Sequence, residues 1–72
     1  MIGLTPKQHE CLQFIRSYVT MNGYSPSYDE IMAGIGLKSK SGIARLINGL
    51  VDRGHITTAR YKARSIALKE AA

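Results

Sequence analysis

Between positions 27 and 39 the chain carries two helix-start signals and one helix-stop signal, and a single helix cannot accommodate all three. Ser27-Tyr28-Asp29-Glu30 is a capping-box start, in which serine and glutamate satisfy each other's exposed backbone donors. Gly36 can adopt the left-handed conformation that ends a helix, and Ser39 offers a fresh N-cap three residues later. The chain must therefore turn sharply through Leu37 and Lys38 and begin again. Ile31 and Ile35 give the first segment an apolar edge, and Ile43, Leu46, Ile47 and Leu50 give the second an apolar face that stops at Gly54. The pattern predicts helices over 28–35 and 40–53 joined as a helix-turn-helix.

Flanking signals complete the unit. Thr5-Pro6-Lys7-Gln8 combines an N-cap, a proline at the first helical position and a glutamine that can close a second capping box, so a helix is expected over 6–21. Its apolar face is Cys11, Leu12, Ile15, Tyr18 and Val19, and Gly23 follows as its stop. Beyond Gly54 the period changes to alternation, with Ile56 and Thr58 on one side and Ile66 and Leu68 after a basic interval, which reads as a two-stranded hairpin. Before Ser27, Ser25-Pro26 reads as a short extended linker. The expected fold is mainly α (α+β): a three-helix winged helix-turn-helix with a C-terminal two-stranded β-hairpin wing. It forms a single domain over 1–72, with its core in 4–68 and a frayed tail at 69–72.

At this length only one compact core is possible, which leaves little room for an enzyme pocket. No apolar run approaches the roughly 18 residues of a membrane span, and Met1 to Thr5 has no secretory pattern, so the expected compartment is the cytoplasm, with the nucleoid when bound to DNA. The single Cys11 cannot close an internal disulfide and reads as a core residue. His9 and His55 have no ligand partners at metal spacing, no serine sits in a G-x-S-x-G elbow, and no glycine-rich phosphate loop is present. No catalytic activity, cofactor, metal, membrane or small-molecule ligand is expected.

Charge indicates what the partner is. The net charge is +5, and residues 38–64 hold Lys38, Lys40, Arg45, Arg53, Arg60, Lys62 and Arg64 against Asp52 alone, a local +6, whereas the first 37 residues net −1. A concentrated basic footprint on a helix-turn-helix points to a polyanion, with the second helix of the pair in the major groove of double-stranded DNA. Lys38 and Lys40 flank the start of that helix, whose free N–H groups suit a phosphate, and the hairpin tip adds Arg60, Lys62 and Arg64.

Leu4-Thr5 with Gln8, Ile15-Arg16, Gly23, Pro26-Ser27 before Glu30-Ile31, Gly36 with Ser39, Leu50, and Arg53-Gly54 followed at one remove by Ile56 resemble the DNA-binding domain of LexA-type repressors. The resemblance runs from 4 to 68. It implies three helices and a two-stranded wing, with Ser39, Ser41, Gly42, Ala44 and Arg45 at or near base edges of an operator half-site. Tyr61 stands at the family's wing glycine, and Arg64 matches its wing arginine. The self-cleaving serine-lysine protease half of most such repressors has no counterpart in these residues, so damage-triggered autocleavage is not expected of them. Ser41, Gly42, Ala44 and Arg45 differ from the residues best known at the family's reading face, which implies an operator of this chain's own. Met32 stands where an alanine usually allows close packing, with Ala33 next to it, so the crossing of the second and third helices is expected to differ slightly.

The candidate base-proximal set is thus Ser39, Lys40, Ser41, Gly42, Ala44, Arg45 and Asn48. The backbone-contacting set is Ser27, Tyr28, Lys38, Arg53, Arg60, Tyr61, Lys62 and Arg64. Arg45 either pairs with guanine O6 and N7, a contact worth ~1–3 kcal/mol of discrimination, or stays solvated; a base or adjacent phosphate contact is favoured. Asn48 either reaches an adenine edge or a phosphate or simply faces solvent. Tyr61 contacts sugar or phosphate or packs on the wing; Tyr28 donates to a phosphate or packs, and Tyr24 is expected to pack. Gly42 and Gly49 each cost a helix about 0.8–1.0 kcal/mol relative to alanine, and proximity to DNA explains Gly42 better than Gly49. The expected function is sequence-specific transcription regulation, as a repressor, by a homodimer on paired half-sites. The alternatives are a protein-interaction module binding RNA polymerase or another regulator, and a nonspecific architectural DNA binder.

Overall fold

The computed structural model describes residues 3–58 and 66–69. Three helices, α1 (Pro6–Asn22), α2 (Tyr28–Ile35) and α3 (Lys40–Asp52), precede two short strands, β1 (Ile56–Thr57) and β2 (Ala67–Leu68). The strands pair antiparallel, with Ile56 opposite Leu68 and Thr57 opposite Ala67. Lys69 N–H extends the ladder by donating to the His55 carbonyl at 2.9 Å. The expected mainly helical fold with a small hairpin is the one observed. Helix α1 runs one residue further than the sequence pattern suggests, and α3 ends one residue sooner, at Asp52.

Each start forms as its residues dictate. Thr5 Oγ1 accepts from Gln8 N–H at 3.1 Å, and Gln8 Oε1 accepts from Thr5 N–H at 3.0 Å, closing the first capping box. Ser27 and Glu30 close the second in the same reciprocal way, at 3.2 and 2.8 Å. The stop between α2 and α3 depends on Gly36, whose φ of 73° lies in the left-handed region that a side chain would strain. Leu37 N–H donates back to the Met32 carbonyl at 2.9 Å, so the turn is tied to the helix that it leaves.

The core lies where the three helices meet the hairpin. Cys11, Leu12 and Ile15 from α1, Ile31 and Ile35 from α2, Ile43, Ile47 and Leu50 from α3, together with Ile56 and Ile66, are buried. Tyr18 and Val19, expected on the core face of α1, are only half-buried, and Val19 packs against the edge of the core together with Phe14, which the apolar spacing does not include. Thr58 lies beyond β1 and is exposed, so the alternation extends over fewer residues than the sequence suggests.

Two glycines let α1 approach both of the other helices. A Cβ on Gly34 of α2 would collide with the ring of Phe14, and a Cβ on Gly49 of α3 would come within 2.5 Å of Gln8 Nε2. Real Cβ atoms do not sit so close to neighbours, so at Gly34 a larger residue would disturb the packing of α2 on the Phe14 ring, whereas at Gly49 the flexible end of Gln8 would have to move aside. Met32 packs partly buried against the core. The small residue that admits a neighbour into α2 is Gly34, and the neighbour belongs to α1.

Candidate nucleic-acid interface

The surface of α3 follows from its helical repeat. With successive residues about 100° apart, Ile43, Ile47 and Leu50 point into the core, and Ser41, Arg45, Asn48 and Asp52 point the opposite way. The burial pattern agrees: the first three are buried and the latter four exposed. Lys40 and half-buried Ala44 lie on one flank. Gly42 lies on the other, where a Cβ would meet the Leu37 side chain at 3.4 Å, an ordinary contact.

The first turn of α3 is organised by hydroxyls. Ser39 has the extended backbone of an N-cap, with φ −125° and ψ 131°, and its Oγ accepts from Gly42 N–H at 3.2 Å. Ser39 Oγ and Ser41 Oγ lie 2.8 Å apart, within hydrogen-bonding distance, which couples the capping side chain to the first outward-facing residue. The first backbone donors of a helix have no intrahelical acceptor, so this end keeps donor capacity that a phosphate can use. Lys38 and Lys40, both exposed, flank it. The base-proximal set is therefore divided by the fold: Ser41, Arg45 and Asn48 form one outward row, Ser39 begins it, and Lys40, Ala44 and Gly42 lie at its sides.

At the start of α2, Ser27 is half-buried and its oxygen is engaged by Glu30 N–H, leaving the hydroxyl hydrogen to donate elsewhere. Tyr28 is 41% exposed. Tyr24 packs edge-on against Tyr18, with ring centroids 5.8 Å apart and planes at 71°, and Tyr18 in turn lies 6.0 Å from Phe14. The packing role expected for Tyr24 is thus present. Arg53 is exposed just beyond α3. The candidate wing residues Arg60, Tyr61, Lys62 and Arg64 lie outside the described residues.

Lys7 has a role that its sequence context does not announce. Its Nζ donates to the Ile35 carbonyl at 3.2 Å and pairs with Glu10 Oε1 at the same distance. A cation is thereby placed on the last turn of α2, where the helix dipole is negative and a carbonyl lacks its intrahelical partner. The only signal in sequence is the i,i+3 spacing of Lys7 and Glu10; the contact with Ile35 depends on how α1 crosses α2. Burial pushes the Cys11 thiol up to about 11, with Glu10 adding to the shift, so it is held protonated and unreactive near neutral pH. Among the described residues no group of three or more His, Cys, Asp or Glu is arranged to hold a metal ion, and no helix is long and apolar enough to cross a membrane.

The chain matches the family model described as the LexA DNA binding domain over residues 1–65. It is similar to the LexA repressor of Paramagnetospirillum magneticum, 49% identical over 63 residues, a stretch covering 88% of this chain and 27% of that protein. The LexA repressor of Rhodospirillum rubrum is 48% identical over 63 residues, covering 88% and 25%. That of Zymomonas mobilis is 46% identical over 63 residues, covering 88% and 29%. The chain therefore spans about a quarter of the length of these relatives.

Proposed function

This chain belongs to the LexA DNA-binding domain family, and we propose from that premise that it is a sequence-specific double-stranded-DNA-binding regulator that represses transcription by occluding a promoter. The observation that carries the proposal is the outward row Ser41, Arg45 and Asn48, exposed on the second helix of a helix-turn-helix whose N-terminus is flanked by Lys38 and Lys40. In a helix-turn-helix the second helix enters the major groove with its N-terminal residues nearest the base edges. Arg45 has the donor fork that matches guanine O6 and N7, and Asn48 can pair with adenine N6 and N7.

Phosphate contacts set the register. Lys38, Lys40 and the helix N-terminus hold one side, Arg53 and the basic residues Arg60, Lys62 and Arg64 another, with Tyr28, Tyr61 and the Ser27 hydroxyl adding hydrogen bonds. One module makes a small interface, so useful affinity comes from two copies on paired half-sites, a homodimer on DNA working in the cytoplasm. The domain binds and does not catalyse.

Substitutions separate base reading from phosphate clamping. Arg45→Ala relaxes preference at one base position, with a loss of about 1–3 kcal/mol on the preferred duplex. Lys40→Ala weakens all sequences alike and lowers the slope of log K against log salt by about 1. Unchanged binding in both variants would contradict the assignment.

A further inference from the structure

The turn between α2 and α3 is held from two directions. From within α2, the N–H groups of Gly36 and Leu37 both donate to the Met32 carbonyl. From outside, Lys7 of α1 donates its Nζ to the Ile35 carbonyl at 3.2 Å and pairs with Glu10 Oε1 at the same distance. Ile35 is the last residue of α2, directly before the left-handed Gly36 and the turn that leads to the Ser39 cap of α3. Its carbonyl has no helical donor because the chain leaves the helix there, and α2 has no basic residue of its own in its last turn. Lys7 supplies both the donor and the cation from a different helix. Phe14 on Gly34 and Gln8 beside Gly49 are contacts of shape, whereas the bond from Lys7 is directional and acts at the turn itself.

We propose, on the reading given under Proposed function, that Lys7 is a positioning residue for base reading: by tying the end of α2 to α1 it sets the angle at which α3 leaves the turn, without itself binding DNA. At 1.5 Å per residue, Asn48 lies about 14 Å along α3 from Ser39. A tilt of about 5° at the turn then displaces Asn48 by about 1 Å, which takes a donor out of the roughly 2.7–3.2 Å range of a base hydrogen bond. The attraction between a lysine and a phosphate falls only as the inverse of their separation, so the same displacement changes it little. Losing the Lys7 bond therefore costs sequence preference and spares electrostatic affinity. Lys7 is a basic residue whose charge is engaged by the protein, and its effect on binding is exerted through the outward row of α3.

The test compares the wild-type chain with Lys7→Met, which keeps an alkyl stem but no donor, and with the double variant Lys7→Met/Glu10→Gln, which also restores the net charge. Each is assayed in about 150 mM salt against the duplex enriched from a random pool by the wild type and a scrambled duplex of the same length. The temperature is one at which thermal melts show every variant folded, so a role in stability alone leaves affinity unmoved. Both variants should weaken binding to the enriched duplex by about three- to ten-fold. Binding to the scrambled duplex and the slope of log K against log salt should not change. Equal weakening on both duplexes would overturn the proposal, and a salt slope lowered by about 1 would show that Lys7 contacts a phosphate instead. Full binding by the double variant would also overturn it, because the loss in Lys7→Met would then come from the unpaired Glu10 charge. Unchanged binding by both variants would mean that the bond serves stability alone. If the wild type enriches no duplex, the DNA-reading function fails and takes this proposal with it; enrichment with an inert Lys7→Met sinks the proposal alone.

Discussion

The two faces of α3 are built for different neighbours. Its inward face meets α1 and the hairpin through Ile43, Ile47 and Leu50, all buried, and its flank at Gly49 is pressed against Gln8. Its outward face carries only polar or charged side chains, Ser41, Arg45, Asn48 and Asp52, all exposed, and among the described residues the one side-chain hydrogen bond on this face joins the hydroxyls of Ser39 and Ser41. The two interior glycines show the same contrast. Gly49 is accounted for by the protein itself, because Gln8 occupies the space a side chain would need. Gly42 is not, because an alanine there would only touch Leu37. A residue that weakens its helix without an internal steric reason, at the end of the helix nearest the proposed bases, fits a surface shaped for an external partner.

The contrast predicts that conditions loading the inward face act on stability alone. Cys11 is fully buried, and its thiol is held protonated up to about 11 against an ordinary value of 9.0. An unfolded chain ionises this thiol above its ordinary value and the folded chain does not. Its contribution is therefore complete below pH 9 and is lost as pH rises toward 11. The ceiling is roughly 2–3 kcal/mol at about 1.4 kcal/mol per unit. Urea melts at pH 8 and pH 10.5 should show a steeper loss for the wild type than for Cys11→Ala. Parallel pH dependences would mean that the thiol is not insulated by the α1–α3 packing.

A smaller effect separates the two glycines of α3. Gly42→Ala should raise stability by about 0.8–1 kcal/mol through helix propensity, since its new methyl group makes only an ordinary contact. DNA binding should weaken in the same variant. Gly49→Ala should gain less than Gly42→Ala, because the end of Gln8 must shift away from the new methyl group and its Oε1 bond to Thr5 N–H is weakened, which offsets part of the propensity gain. It should leave DNA binding unchanged. Thermal melts paired with binding curves check both, and a Gly42→Ala variant that binds as tightly as the wild type would place that flank away from DNA.

Local chemistry made most of the fold legible. Thr5, Ser27 and Ser39 announced the helix starts, Gly36 the turn, and the apolar spacing of α3 its core face, because each signal acts within a few residues and the structure satisfies each one. The contacts of Phe14 with Gly34, Gln8 with Gly49 and Lys7 with Ile35 were not legible. They join residues distant in sequence, and they depend on how α1 crosses the other two helices. Tyr18 and Val19 carried the right spacing for the core and are only half-buried: Val19 packs at the edge of the core, and Tyr18 packs against the rings of Phe14 and Tyr24. For the candidate interface, helical geometry alone separated Ser41, Arg45 and Asn48 from their neighbours.

On this reading the outward row of α3 reads base sequence. Selection of bound duplexes from a random DNA pool at about 150 mM salt tests it most directly, because at that salt purely electrostatic binding is already weakened. The expected result is an enriched motif, present twice at a fixed spacing, that loses definition at one position when the selection is repeated with Arg45→Ala. Retention of DNA only at low salt, with no enriched sequence, would contradict it.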